Sequence, residues 1–267
     1  AALSPPTLCA QGIRLEPEDR GAFTLEVMVP KFPGRYGSTY SNVVVFASLK
    51  MAASDKTAVV FEIPYARSSY EYSYCGYYGC ESLSESQSSL GNVYIGAEFS
   101  GRNRDFFTSI GIRLPSASEE SAGAWTAGLV ADIDRWGSFG KDLFVANVAA
   151  NYYHQSRSGF VSWLRAGPTL LKYSSTACQG GDLFFQYGYQ AGFNAPPISS
   201  MVGISGLMIL TAEEATIAER TMHQLSFSAT YTAGSFRPGF QARIPLDEDL
   251  KDILEHSIGL SLSYVFK

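Results

Sequence analysis

Ser257-Ile-Gly-Leu-Ser-Leu-Ser-Tyr-Val-Phe-Lys267, the last stretch of a 267-residue chain, decides the fold. Ile258, Leu260, Leu262, Tyr264 and Phe266 share one face of a strand, and Ser257, Gly259, Ser261 and Ser263 share the other. Successive side chains of a strand point to opposite sides, so this one asks for hydrocarbon on one side and water on the other. A buried edge strand of a soluble β-sandwich makes the same demand. The case therefore rests on repetition.

The alternation recurs. Leu225, Phe227, Ala229 and Tyr231 oppose Gln224, Ser226, Ser228 and Thr230, and Phe236, Phe240, Ala242, Ile244 and Leu246 oppose Arg237, Gly239, Gln241 and Arg243. Phe144, Ala146, Val148, Ala150 and Tyr152 oppose Asn147, Ala149, Asn151 and Tyr153. Val59, Phe61, Ile63 and Tyr65 oppose Val60, Glu62 and Pro64, while Val93, Ile95, Ala97 and Phe99 oppose Asn92, Tyr94, Gly96 and Glu98. A tilted strand needs about nine to eleven such residues to cross an outer-membrane bilayer, whereas soluble strands run to about five or six.

Composition points the same way. The chain carries 16 Tyr, 17 Phe and 25 Gly, with 17% charged residues against the quarter typical of globular chains. No apolar run is long enough for a transmembrane helix, so only a closed barrel could span a bilayer. A net charge of −5 without a Lys/Arg cluster gives no footprint for nucleic acid. The expected organisation is an N-terminal segment over 1–20, a signal-peptide remnant or irregular lead-in, followed by one all-β, antiparallel up-and-down transmembrane barrel over 21–267.

Strands are expected near 22–30, 40–51, 57–66, 91–100, 105–115, 124–135, 141–153, 159–172, 181–193, 200–211, 221–233, 236–246 and 257–266, with breakers at 53–56, 101–104 and 233–235. That is an odd number, and single-chain bacterial barrels use even ones. One run must be wrong or lie outside the barrel, which makes the expected count 12, with 14 as the alternative. Leu246–His256 has helical spacing and reads as a short helix in a loop.

The aromatic one residue from the end of the last strand resembles the closing strand of Gram-negative outer-membrane barrels. That resemblance implies recognition by the barrel insertion machinery and a bilayer of outer-membrane lipid as surroundings. Leu90-Gly-Asn-Val-Tyr-Ile-Gly-Ala-Glu-Phe99, followed by Phe107-Thr-Ser-Ile-Gly-Ile-Arg-Leu-Pro115, resembles a hairpin of an outer-membrane transporter family whose members sit beside meta-cleavage pathways for phenol degradation. Arg237-Pro-Gly-Phe-Gln-Ala-Arg-Ile-Pro-Leu246 with the final strand fits the same template. The resemblance covers about a quarter of the chain and implies passive transport of a small solute by analogy; it brings no catalytic residues.

If the apolar face meets lipid, the other face presents Glu26, Lys50, Glu62, Glu98, Arg113, Asp132, Asp134, Arg165, Arg237 and Arg243 to the lumen as candidate pore-lining residues. Arg165 is the least secure, because it shares its face with Val161 and Trp163. Closing the barrel brings first and last strands together, so Glu26 and Glu62 could face Arg237 and Arg243 across the seam. Such charges either brace a narrow barrel or orient a polar or zwitterionic solute. In a pore, Arg113, Arg237 and Arg243 would set the ion preference.

Cys75 and Cys80, in Tyr-Cys-Gly-Tyr-Tyr-Gly-Cys, are spaced to close a small disulfide loop in an oxidising compartment; a free pair is the alternative. A metal site would need further ligands, and neither a His nor a second close cysteine pair stands nearby. A Cys9–Cys178 bridge has no support in the spacing, and Leu8 stands before Cys9 where lipidation wants a small residue. No cofactor motif is present.

One constellation suggests catalysis. His154 and Ser156 stand two residues apart at a strand end, as in outer-membrane phospholipase A, so the imidazole could take the hydroxyl proton of a lipid esterase. The stretch Ser162–Arg165 offers Leu164 where that enzyme wants an Asn. A pore, a barrel esterase and a soluble β-sandwich binding module are therefore the three readings, with the pore leading.

Overall fold

The computed structural model describes residues 21–33, 38–76, 79–101, 105–117, 122–174, 180–212 and 216–266. The 1–20 segment, Cys9 and Cys178 lie outside them. The strands are β1 (Ala22–Lys31), β2 (Ser38–Ser54), β3 (Thr57–Gly76), β4 (Gly79–Leu90), β5 (Tyr94–Ser100), β6 (Phe106–Arg113), β7 (Leu143–Gln155), β8 (Phe160–Tyr173), β9 (Gly180–Ala195), β10 (Ile198–Ile209), β11 (Thr221–Tyr231), β12 (Phe236–Pro245) and β13 (His256–Val265). Neighbours pair antiparallel, and β13 closes on β1 in unbroken register from Ala22↔Val265 to Lys31↔His256. The result is a closed barrel of 12 strands plus one extra, β4.

β4 lies along the distal half of β3, from Tyr65↔Leu90 outward, while β5 pairs with the proximal half from Thr57↔Phe99 to Glu62↔Tyr94. β4 and β5 thus form one interrupted line, broken at residues 91–93. The break has a cause. A Cβ on Gly91 would come 2.3 Å from the Ser138 carbonyl and 2.7 Å from the Pro64 ring, so only glycine lets the inward segment approach here.

Burial follows the alternation. Along β6 the pattern is strictly exposed-buried, with Phe106, Ile110 and Ile112 outside and Phe107, Ser109 and Arg113 inside. On β13, Ile258, Leu260, Leu262 and Tyr264 are exposed while Ser257 is fully buried. An unbroken apolar belt around a closed barrel matches a lipid environment, because the ladder leaves no open backbone groups in the hydrocarbon. This removes the β-sandwich reading, in which those faces would meet each other.

The two ends differ. At one end the connections are short (residues 55–56, 101–105, 156–159, 196–197 and 232–235), and both the start of β1 and the end of β13 lie there. Longer connections (114–142, 210–220, 246–255) occupy the other. In outer-membrane barrels short turns face the periplasm and long loops the exterior.

The 124–135 stretch corrects the sequence reading. It is helix α1 (Ala122–Ala131) followed by a 3-10 helix over Ile133–Ser138. Ala-Gly-Ala-Trp-Thr-Ala-Gly-Leu-Val-Ala has no polar face, and an all-round apolar helix needs burial. It finds that burial inside the barrel, with Ala124, Ala127 and Ala131 packed on Met28, Val44, Phe46, Ala66 and Phe139. Its small side chains allow a close approach to the wall. A second contact lies at the long-loop end: Leu129, Val130 and Ile133 pack on Leu250 and Leu254, within and beside helix α2 (Glu248–Lys251). That helix is the one expected within 246–256. With 124–135 removed, the remaining runs are the 12 barrel strands.

Candidate functional site: the barrel lumen

Residues 122–138 fold inward as part of the connection between β6 and β7 and carry charge into the lumen. Arg135 is fully buried, with Nη1 2.6 Å from Glu26 Oε2 on β1 and Nε 3.2 Å from Glu62 Oε2 on β3. Nη1 also stands 3.6 Å from Asp132 Oδ2, and the guanidinium lies 4.1 Å from the Phe46 ring centroid. Arg113 on β6 reaches Glu62 Oε1 at 2.8 Å, and Arg243 on β12 pairs with Asp132. Burial alone would lower the pKa of Arg135, but Glu26, Glu62 and Asp132 outweigh it and raise it above the ordinary arginine range. Glu26, Glu62, Arg113, Asp132 and Arg243 are thereby joined through one residue, Arg135.

That corrects one expectation: Asp132 and Asp134 are on the inward segment rather than on a wall strand. Arg243 on β12 is linked to Glu26 and Glu62 through Asp132 and Arg135. Arg237 lies half-buried opposite Ser263, nearer the short-turn end. Glu98 pairs with Lys50, both buried, Nζ to Oε2 at 3.0 Å.

Arg113 is shaped by glycine. The buried Tyr94 ring lies over Gly96 and Gly111, where a Cβ would come within 2.4 and 2.1 Å of its hydroxyl oxygen, and Arg113 sits 5.1 Å from the ring centroid. Arg113 Nη1 also donates to the Asn92 carbonyl at 3.2 Å.

Asn92 is a residue that the sequence reading missed as functional. Fully buried, its Nδ2 lies 3.0 Å from the Gly137 carbonyl, 2.7 Å from that of Gly140 and 3.3 Å from that of Leu143, while its Oδ1 accepts from Ala117 N at 2.9 Å. The Ser116 hydroxyl donates to the Gly91 carbonyl at 3.0 Å and accepts from Val93 N at 2.9 Å. The break between β4 and β5 therefore anchors both ends of the inward segment. The available signal was the Leu-Gly-Asn motif itself.

The β8–β12 side is built differently. Arg165 Nη2 donates to Gln186 Oε1 at 3.0 Å, and Gln186 Nε2 donates to the Asp134 carbonyl at 2.9 Å and to Asp134 Oδ1 at 3.2 Å. Val161 and Trp163, on the face that Arg165 shares, are buried with Phe107, Tyr153 and Met201 near the short-turn end. Burial and the Asp132 carboxylate push the Asp134 carboxyl above the usual aspartate range, against the pull of Arg165 and Arg243. A narrow cleft, open to solvent on one side, runs between the 3-10 helix and this wall past Asn147, Arg165, Thr169 and Gln186.

His154 and Ser156 do not form a dyad. His154 is exposed and stacks on Tyr152, with centroids 6.5 Å apart. The Ser156 hydroxyl accepts from Phe160 N at 3.0 Å and shares a 2.8 Å hydrogen bond with Ser158. It serves the turn. Cys75 stands opposite Cys80 in the β3–β4 ladder. Among the described residues no group of His, Cys, Asp and Glu is arranged to hold a metal.

No protein-family model matches the sequence, and no curated protein matches it. Solved structures do match in fold. An outer-membrane channel of the COG4313 group from Pseudomonas putida F1 aligns over 96% of this chain and 98% of its own, with a TM-score of 0.61 and 11% identity. The translocator domain of the autotransporter NalP from Neisseria meningitidis aligns over 93% and 90%, with a TM-score of 0.58 and 10% identity. The NanC porin aligns over 90% and 98%, with a TM-score of 0.51 and 6% identity. The fold is that of bacterial outer-membrane β-barrels. At these identities the likeness reaches no further than the fold.

Proposed function

We propose that the protein is an outer-membrane pore for small solutes whose path runs along the β8–β12 side of the lumen, past the inward segment. The supporting observation is the contrast between an apolar exterior and a lumen wall whose polar atoms lack partners. Gln190 Oε1, both amide atoms of Gln224, Ser228 Oγ, Thr230 Oγ1 and Gln241 Nε2 are buried there without a hydrogen bond among the described residues. Buried polar groups are costly unless satisfied, so this side calls for water or a polar solute. The resemblance of 90–99 and 107–115 to the transporter family found beside meta-cleavage pathways favours a passive transporter of that kind. The commitment of Ser156 to its turn argues against the esterase. Discrete conductance steps from purified protein in a planar lipid bilayer are the expected result. A bilayer that stays silent with folded protein present would reduce the lumen charges to a brace.

A further inference from the structure

The connection over residues 246–255 is fastened at both ends and packed in its middle. Asp247 stands at the N-cap of helix α2, where an aspartate ordinarily accepts from the first turn. Here its side chain caps nothing. It turns to β11 instead: Oδ2 accepts from the His223 backbone N–H, and Oδ1 lies 3.0 Å from His223 Nδ1. An ionised carboxylate only accepts, so in the neutral imidazole Nδ1 carries the proton and Nε2 accepts from the Tyr187 hydroxyl on β9 at 2.6 Å. Gly206 of β10 stands between the two in the ladder, and a Cβ there would come 2.4 Å from the Tyr187 ring. At the far end Glu255 N donates to the Lys31 carbonyl at 2.8 Å, and the Lys31 ammonium meets the Glu255 carboxylate at 2.8 Å.

The fastening and the packing lie on different sides of the wall. Tyr187 and His223 share the outward faces of their strands with the exposed Tyr189 and Leu225. Leu250 and Leu254, 4% and 0% exposed, reach the other way, onto Leu129, Val130 and Ile133 of the inward segment. Backbone hydrogen bonds brace the turn between them: Lys251 N to Asp247 O and Asp252 N to Glu248 O at 3.0 Å, and Leu254 N to Leu250 O at 2.9 Å. A connection braced in this way moves as a unit, so its grip outside is coupled to its packing inside.

We infer that residues 246–255 form a clasp hooked over the barrel rim, which keeps the inward segment seated, with Asp247 and His223 as its fastening. Both are positioning residues. Neither belongs to the cluster that meets the segment, and each acts through Leu250 and Leu254. Detaching Asp247 lets the clasp lift, and residues 129–138 lose their outer cover. The holding role goes beyond the pore reading; only an effect on flow rests on it.

Hydrogen–deuterium exchange on the full chain in lipid nanodiscs tests this, because local opening sets the exchange rate of a protected amide. Asp247→Ala should speed exchange over 129–138 by about tenfold or more, the effect of losing hydrogen bonds to a charged acceptor, while β7–β10 change by less than about twofold. His223→Ala leaves the backbone N–H in place and should give a smaller rise. His223→Asn should return the rate close to wild type, because the Asn amide N–H can stand where Nδ1–H stands. Asp249→Ala, exposed on the same helix, should change nothing. Leu254→Ala removes the packing directly and sets the scale of full release, at roughly thirtyfold or more. Unchanged exchange over 129–138 in folded Asp247→Ala protein, an equal rise throughout the barrel, or His223→Asn exchanging like His223→Ala would each overturn the clasp. Conductance of the same samples separates the two readings. Faster exchange without any conductance keeps the clasp and removes the pore, and conductance with exchange unchanged in Asp247→Ala does the reverse.

Discussion

Along β1–β6 the lumen charges are cancelled within the protein: Arg135 meets Glu26, Glu62 and Asp132, Arg113 meets Glu62, and Lys50 meets Glu98. Along β8–β12 the wall carries Gln190 Oε1, both amide atoms of Gln224, Ser228 Oγ, Thr230 Oγ1 and Gln241 Nε2, which are buried without a hydrogen bond among the described residues. The first side holds the inward segment in place, and the second leaves its hydrogen-bonding capacity for whatever fills the lumen. On the proposed pore reading, occlusion and passage fall to opposite walls.

The largest effect should come from breaking the first side at its centre. Arg135→Ala leaves Glu26 and Glu62 buried with fewer counter-charges, and removing one partner of a buried ion pair costs about 3–5 kcal/mol. The heat-modified gel band should appear at a lower temperature, and the channels that still fold should conduct more because the inward segment is released. Unchanged conductance from folded Arg135→Ala protein would show that the segment does not control the path.

Next in size is the exterior. Leu260→Arg or Phe227→Arg puts a charge on the lipid-facing belt at a cost of about 2–4 kcal/mol near the midplane, whereas Ser261→Arg points inward and should be tolerated better. Assembly yields on heat-modifiable gels should separate the two classes, and equal yields would remove the face assignment. Asn92→Ala should follow at about 1–3 kcal/mol, because the Gly137, Gly140 and Leu143 carbonyls lose a buried donor. Its signature is noisier single-channel current as the segment loosens.

On the second side the comparison reverses. Gln224→Leu removes an amide with no hydrogen bond among the described residues, so stability should move by less than about 1 kcal/mol while conductance falls. A large loss of stability would place Gln224 with the bracing residues instead. The smallest effect is expected from Cys75→Ser with Cys80→Ser. We propose that these cysteines are joined; the loop between them is short, so their bond belongs at the low end of the roughly 0–5 kcal/mol range. Non-reducing peptide mapping that linked either one to Cys9 or Cys178 would sink that pairing.

The barrel was legible in the sequence because a half-lipid, half-water strand leaves a mark at every second residue, from Val59 to Phe266. The inward segment was not, because Ala122–Ala131 is apolar all round and a short apolar run reads equally as buried strand or buried helix. The odd strand count was the one trace of it. Glu26, Glu62, Arg113, Arg165 and Arg243 were readable as inward-facing from the pleat alone. Their partners were not, since Arg135 meets Glu26 across more than a hundred residues of chain through a segment that local pattern had placed in the wall.

Interrupting the wall at Gly91–Val93 leaves β4 paired with β3 alone, so one row of its backbone amides and carbonyls has no neighbouring strand among the described residues. A barrel normally escapes that hazard by having no free margin. Here the margin is guarded by sequence: Gly-Cys-Glu-Ser-Leu-Ser-Glu-Ser-Gln-Ser-Ser-Leu contains no β-branched residue and two glutamates that would meet their own copies in a stacked ladder. Neutralising both, with Glu81→Val and Glu85→Val, should turn a monodisperse micellar sample into one that self-associates through this arm while the transmembrane cylinder stays intact.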